Sequence, residues 1–495
     1  MIKMGIVFNQ SYKNIVIIIV AILIGGFNTL FFYPTFLKAE YYGLVVFLLA
    51  TSNLLMPLVS FGSQHTIIKY FSSYKSKKEK DIFMSSVIFI PMLTIIPISL
   101  LVVQFHDTIG NFLSIQNPII DSYVWVIFLV AFATSYFEVF YSWARVQLKS
   151  VFGNFLKEIF PRISILVLLS LVYLGHVTKE NFIWWLTGFY YLRLLIMMLY
   201  SFYLYLPKFY FSIPKNITEI LTYSLFIFLA GSAASILIDI DKFMIPQKEI
   251  ISQTAFYAVA VFIATVVEIP GRAMFQIVNP LVAKALNENN EKELESLYKK
   301  SSLNLLVVSG LFFLLINLNV DSFYNLILDS SYSTAISVVL IISISKLILM
   351  SFGCGPAILA TAKFYKITLP FSILMAVSVY VLNDKLIDLY SINGAALSTL
   401  IVISFFTFCK IIYLKYKLNI IPYSYNTFKV FVLIVFLFFL VNLLDFGDKY
   451  LVEIIVKSVA LCVGYILSIY KMQVSNEMNT LIKKTLSKFG LQKFS

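Results

Sequence analysis

Charge is scarce in this 495-residue chain: 13% of its residues are Asp, Glu, Lys or Arg, against about 25% in an ordinary soluble domain. No polar stretch is long enough to supply a soluble domain on either side of the apolar runs. Cysteine is also scarce. Cys354, Cys409 and Cys462 lie far apart in apolar runs and form no C-x-x-C, which excludes a disulfide framework or a cysteine zinc site. With three histidines there is no H-E-x-x-H, and no G-x-x-x-x-G-K-[ST] occurs, so the chain encodes no nucleotide-driven pump. Alternating ten-residue strands are absent, which argues against an outer-membrane barrel. No filter-like motif favours a channel.

Hydrophobic residues make up 60% of the chain. Apolar runs of about 18 residues or more follow one another, each long enough to cross about 30 Å of hydrocarbon as a helix. The expected fold class is therefore an all-α integral membrane protein with about fourteen transmembrane helices. They are placed at 13–35, 43–67, 82–104, 119–144, 155–175, 181–205, 218–240, 253–281, 303–320, 334–354, 367–383, 390–414, 427–445 and 451–470. The first run has no small-residue cleavage site after it and reads as a permanent span.

Lys and Arg test this ladder, because they concentrate on the cytoplasmic side. With the N-terminus inside, the inner segments hold 26 of them and the outer loops hold 6. Both termini are then cytoplasmic, and the net charge of +13 is a consequence of topology. It implies no nucleic-acid partner. The basic clusters at 75–80 and 483–493 read as orientation signals, or as contacts to anionic lipid head groups.

Weak internal similarity appears at an offset of about 214 positions: Phe47 with Phe262, Ala50-Thr51 with Ala264-Thr265, Pro57 with Pro270, Lys149 with Lys363. Six spans is an even offset, so the repeat is parallel, about an axis along the membrane normal. The expected organisation is a six-helix bundle at 1–210, a second at 211–420, and two extra helices with a basic tail at 421–495. A substrate path in a central cavity between the two bundles follows from that arrangement.

Ionisable groups at bilayer depth are costly and face a cavity or a partner. Glu268, Arg272, Gln276 and Asn279 fall at spacings of four, four and three, on one helix face, beside a break at Pro270-Gly271. This is the leading candidate for the transport path; the alternative is a Glu268–Arg272 pair that satisfies itself. Ser135, Glu138, Ser142 and Arg145 form a second stripe that lines the cavity, with Glu138 as a substrate candidate, or ends in an interfacial Arg; Glu158 and Arg162 flank Pro161, with Arg162 as a cavity candidate or the two as a snorkelling, self-paired couple. Arg193 and Lys346 have no acid nearby in sequence. They suit an anionic ligand, a salt bridge to another helix, or a span end placed too far along the chain. Asn53, Gln64, His65 and Lys69 mark a polar inner end of the second span, with Asn53 and Lys69 as further cavity candidates. Asp239 and Asp241, with Lys242, are candidate ion-coupling residues or simple interfacial charges.

Several short pieces, taken in order, resemble the multidrug/oligosaccharidyl-lipid/polysaccharide exporter superfamily. Tyr41-Tyr42-Gly43, Pro57, Phe61-Gly62 and Ile67-Ile68-Lys69-Tyr70-Phe71 resemble its first-to-second-span motif. Ile240-Asp241-Lys242-Phe243-Met244-Ile245, Ala255-Phe256-Tyr257 and Asn279-Pro280 resemble its seventh-to-eighth-span motif. Ile392-Asn393-Gly394-Ala395-Ala396 resembles the start of its twelfth span. Within the superfamily the chain is most similar to bacterial polysaccharide flippases of O-antigen and capsule synthesis.

The resemblance implies a non-enzymatic protein of the bacterial cytoplasmic membrane, without cofactor or metal. It would move an undecaprenyl-pyrophosphate-linked oligosaccharide outward by alternating access. Membrane lipids and other polysaccharide-assembly proteins are the implied partners, and one chain could act as a monomer. A cationic cavity is implied as well, which Arg272, Arg193 and Lys346 would supply. A peptidoglycan-precursor flippase and a drug/cation antiporter are the alternatives within the superfamily. The antiporter has twelve spans and an acidic cavity, unlike this chain. A membrane-embedded polysaccharide polymerase is the alternative of another class; it is disfavoured by the shortness of the outer loops.

Overall fold

A computed structural model describes residues 2–210, 212–444, 447, 449–475 and 477–480; the basic cluster at 483–493 lies outside them. Helix accounts for nearly all of the described residues and no strand occurs among them. The chain divides into two compact units, 1–258 and 259–495.

The first unit contains α1 (Ile2–Phe27), α2 (Lys38–Ser60), α3 (Ser63–Tyr70), α4 (Lys77–Phe89), α5 (Met92–Gln104) and α6 (His106–Ser114). It continues with α7 (Val124–Val146), α8 (Val151–Glu158), α9 (Phe160–Tyr173), α10 (Lys179–Leu204) and α11 (Ile217–Lys248). After α12 (Ser252–Thr265) the second unit holds α13 (Ile269–Asn287), α14 (Glu291–Asn317), α15 (Val320–Ile327), α16 (Ile336–Ser351), α17 (Gly355–Thr361), α18 (Thr368–Leu418), α19 (Tyr425–Asn442) and α20 (Tyr450–Met472).

Eleven helical stretches among the described residues are long and apolar enough to cross a membrane. Two exceed one crossing by far: 48 residues from Lys13 to Ser60 and 54 from Tyr365 to Leu418. At about 1.5 Å per residue they would measure ~70 and ~80 Å, against about 30 Å of hydrocarbon. Each carries a backbone break. Between α1 and α2 the residues Asn28–Leu37 are π-helical, contain Pro34, and end at Lys38 with φ 61°. Inside α18, Ser391 has φ 53° and ψ −135°. The expected span at 155–175 is occupied by α8 and α9, two short helices that meet at Ile159, just before Pro161. The ladder of fourteen separate spans thus takes the form of eleven crossing-length stretches. Hydropathy measures apolar length, whereas helix boundaries also depend on where the backbone bends.

The break in α18 explains a sequence motif. A Cβ on Gly394 would lie 1.8 Å from the Leu386 carbonyl oxygen, so only glycine admits this approach of the chain to itself. Gly394→Ala is expected to lower the stability of the detergent-solubilised chain by about 1–3 kcal/mol, the usual cost of overpacking. A thermal melt of that variant unchanged from wild type would refute this.

The core of the first unit is aromatic: Phe83, Phe137 and Trp143 are fully buried against Ile67, Met84 and Met197. Trp143 Nε1 donates to the Tyr205 carbonyl at 3.1 Å, which satisfies its one polar atom. The helix α11 belongs to this unit, tied to the helices before it by a Thr66–Ser224 hydroxyl contact of 2.8 Å and by ring packing of Phe61 on Phe228 and Phe47 on Phe243. The compact division therefore falls after α11, while the division read from the repeat falls at 210/211. In the second unit α19 and α20 pack on α14, where Leu437, Leu461 and Tyr465 join Leu306, Phe313 and Leu314 in one core. Tyr465 Oη donates to the Val307 carbonyl at 2.8 Å across that contact.

Candidate substrate site

In the second unit a broken helix holds three charges together. Following α12, residues Val266–Glu268 form a 3-10 turn and α13 starts at Ile269, with Pro270 in its first turn. Proline is tolerated there because that N–H has no helical partner to lose. Glu268 stands at the break, as the residue before α13. One turn on, Arg272 Nη2 lies 2.9 Å from Glu268 Oε1. From α16, Lys346 Nζ lies 2.9 Å from Glu268 Oε2. The approach of α13 to α16 is close, since a Cβ on Gly271 would meet Met350 Sδ at 2.6 Å.

Two cations share one carboxylate, which leaves one net positive charge. The three side chains differ in access. Glu268 is 18% exposed and Lys346 20%, whereas Arg272 is 52% exposed and can reach a ligand while keeping its carboxylate contact. Gln276 and Asn279 continue the same face, are exposed, and form no hydrogen bond with another described residue. The four-residue stripe expected from the sequence is therefore present, and its break lies at residues 266–268, just ahead of Pro270. Lys346, which has no acid near it in sequence, is the addition that only packing reveals: of its three readings, the salt bridge to another helix is the one observed.

Arg193 takes the other course. It is 5% exposed, and no carboxylate of the described residues pairs with it. Its guanidinium lies over the rings of Phe137 and Tyr190, at 4.3 and 4.7 Å from their centroids, and donates to Thr134 Oγ1 at 3.4 Å. Aromatic faces offset the loss of water around a buried guanidinium. Arg193 is placed as a packing cation inside the first unit.

Several other charged residues of the first unit are paired. Glu138 on α7 meets Lys157 on α8 at 2.7 Å. Glu158 pairs with Arg162 at 3.1 Å, four residues on. These pairs stand near a polar cleft of about 470 Å³ lined by Tyr141, Arg145, Asn154, Lys157 and Glu158, with Gln10 and Asn14 from α1. Of the α7 stripe, Ser135 is turned into packing, where it donates to the Met56 carbonyl at 3.1 Å, and Ser142 is buried. Lys69 lies over the Tyr223 ring at 3.7 Å. Asn53 donates to Asp239 Oδ2 at 3.3 Å, and Lys242 holds Asp239 Oδ1 at 2.7 Å. Asp241 accepts from the Tyr257 hydroxyl. Both aspartates are buried, at 7% exposure each, rather than lying free at a helix end.

Two features carry no sequence expectation. Asn117 clamps the turn after α11: its amide donates to the Pro246 and Glu249 carbonyls at 2.7 and 2.8 Å and accepts from Ile251 N at 2.8 Å. In the second unit Lys457 and Glu453 form a buried ion pair on α20, and Ser322 of α15 donates to Glu453 Oε2 at 2.8 Å. The i,i+4 spacing of Glu453 and Lys457 was the available signal.

Long apolar helices with backbone breaks and paired charges between them define a multi-pass membrane protein. The fold is similar to that of solved transporters. The lipid II flippase MurJ in an inward closed conformation superimposes with a TM-score of 0.73 at 14% identity, covering 93% of this chain and 99% of that one. An inward-facing multidrug resistance MATE family transporter of the MOP superfamily gives 0.61 at 12% identity, over 81% of this chain and 94% of that one. A MATE in complex with MaL6 gives 0.53 at 13% identity, over 82% and 96%. No curated protein sequence matches this one. The family model of the polysaccharide biosynthesis proteins matches residues 11–278, more than half of the chain, and the chain belongs to that family. Its fold is that of the MOP exporters.

Proposed function

We propose that this protein is a flippase for a lipid-linked oligosaccharide, most specifically an undecaprenyl-pyrophosphate-linked repeat unit of O-antigen or capsule. It would work in the bacterial cytoplasmic membrane, with both termini inside, moving the unit outward by alternating access. The observation that carries this reading is the Glu268–Arg272–Lys346 cluster, with its net positive charge and half-exposed guanidinium, in a member of the polysaccharide biosynthesis family. A pyrophosphate is a dianion or more, and a guanidinium can grip two of its oxygens at once. Gln276 and Asn279 supply amides on the same face for sugar hydroxyls. Crossing fourteen times, with each of the two long broken stretches crossing twice and α8–α9 together once, fits this reading and the alternation of Lys and Arg.

The MurJ likeness keeps a peptidoglycan-precursor substrate as the nearest alternative; that substrate too is a lipid-linked pyrophosphate. The drug antiporter is less favoured. The MATE match leaves about a fifth of this chain uncovered, and the cluster is cationic where an antiporter for cations needs acids.

Cells deprived of this protein decide among these readings. Finished lipid-linked repeat units should accumulate and be inaccessible to a lectin applied to intact spheroplasts. Single units that accumulate on the outer face would instead identify a polymerase. Unchanged lipid-linked sugar would leave the antiporter.

A further inference from the structure

Six lysines of the first unit gather on two adjoining segments. Lys75, Lys77, Lys78 and Lys80 lie at the start of α4, and Lys208 and Lys215 in the segment that joins α10 to α11. The two segments are bonded to each other. Tyr74 Oη donates to Asn216 Oδ1 at 2.6 Å, Ser85 Oγ to the Lys208 carbonyl at 3.4 Å and Ser86 Oγ to the Ser212 carbonyl at 3.4 Å. Lys78 Nζ lies 5.9 Å from the Tyr210 ring centroid.

Three acids stand among them, each with a hydroxyl partner. Glu79 closes a capping box with Ser76, Glu219 accepts from the Tyr70 hydroxyl at 3.0 Å, and Asp81 accepts from the Tyr205 hydroxyl at 2.6 Å. None of the six lysines forms an ion pair with a described residue. In the second unit comparable lysines are neutralised in place: Lys284 by Glu288 at 3.9 Å, Lys299 by Glu295 at 2.6 Å and Lys300 by Glu477 at 2.9 Å. Six lysines against the three carboxylates of Glu79, Asp81 and Glu219 leave a local excess of three positive charges, which calls for external anions.

Its position tells which. Lys77 opens the apolar stretch that runs to Gln104, Leu204 ends another, and Ile217 opens a third. All six lysines are therefore within a few residues of the end of an apolar helix, at the level of lipid head groups. Around Lys208 and Lys215 three apolar side chains stand out: Leu206 at 66% exposure just before Lys208, and Phe209 at 57% and Ile213 at 72% between the two lysines. Exposed apolar groups interleaved with unpaired lysines match an interface whose surface is anionic and whose depth is hydrocarbon.

We propose that this face of the first unit is a binding site for anionic phospholipid head groups of the surrounding bilayer. The six ammonium groups contact phosphates, while Leu206, Phe209 and Ile213 enter the acyl boundary. The four-carbon stems of the lysines are long enough to lie along the apolar surface and still reach phosphate. The site is independent of what the protein carries.

The test uses the full chain in nanodiscs of phosphatidylcholine containing one part in five of spin-labelled phosphatidylglycerol. Wild type is expected to immobilise the labelled anionic lipid in preference to labelled phosphatidylcholine, and added salt should erode the preference. Replacing all six lysines with Gln should abolish it, and replacing them with Arg should retain it. Replacing Lys284, Lys299 and Lys300 with Gln should leave it unchanged. Should the six-Gln variant not fold, the salt dependence of wild type and retention in the Arg variant still decide. Equal immobilisation of both lipids by wild type, a preference kept in the six-Gln variant, or an equal loss in the second-unit control would each overturn the proposal. The first of these outcomes would redirect the patch to an acidic soluble partner.

Discussion

Arg272→Ala is expected to cut export of the lipid-linked oligosaccharide by about ten- to a hundredfold, the equivalent of the 1.5–3 kcal/mol typical of a hydrogen bond to a charged group. The amount of inserted protein should not change, because Arg272 is half-exposed and its loss leaves Glu268 still paired with Lys346. Arg272→Lys should recover part of the loss, as a point charge replaces a two-pronged donor. Glu268→Ala should behave differently. It strands Lys346, largely buried, without its counter-ion, so folded protein should fall along with export; the Glu268→Ala, Lys346→Met pair should regain folded protein but not export. Surface polysaccharide from a complemented deletion strain, normalised to inserted protein, measures all four. Wild-type polysaccharide from the Arg272→Ala strain would remove this residue from the site and with it the main support for an anionic cargo.

Lys457→Ala is expected to destabilise the protein by about 3–5 kcal/mol, the cost of stranding one member of a buried ion pair. Glu453 would remain 8% exposed with the Ser322 hydroxyl as its remaining support across the helix contact. Removing both charges with Glu453→Gln and Lys457→Met should restore most of the loss, since the desolvation of two ions disappears along with their attraction. Thermal melts of the purified full chain in detergent give the comparison, and a double-mutant cycle isolates the pair. An apparent stability for Lys457→Ala within about 0.5 kcal/mol of wild type, the ordinary range for harmless surface changes, would show that the pair contributes little to stability.

The candidate site was half legible. The Glu268–Arg272–Gln276–Asn279 stripe can be read from spacing alone, since residues three and four apart share a helix face wherever the helix packs. Lys346 could be recognised as a cation at depth, but its acid is 78 residues away in sequence and arrives only with α16. Arg193 looked equivalent to Lys346 in sequence, yet its neighbours turned out to be rings. Nothing local distinguishes a cation that will face a carboxylate from one that will face Phe137 and Tyr190. The Asn53–Asp239 contact likewise joins α2 to α11 across 186 positions.

The sequence alone determined that this is a helical membrane protein, because backbone polar groups in hydrocarbon must be satisfied within each segment, and long apolar runs permit little else. It also determined which family the chain resembles, through short motifs in a fixed order. Tertiary structure decided where long runs bend, as at Lys38 and Ser391, and which charged groups meet partners from other helices, as Glu268 meets Lys346 and Glu453 meets the Ser322 hydroxyl. The physical reason is range. Hydropathy and helical spacing act over one or two turns of chain, while the pairing of buried charges depends on which helices touch, and those contacts are made between residues that the sequence keeps far apart.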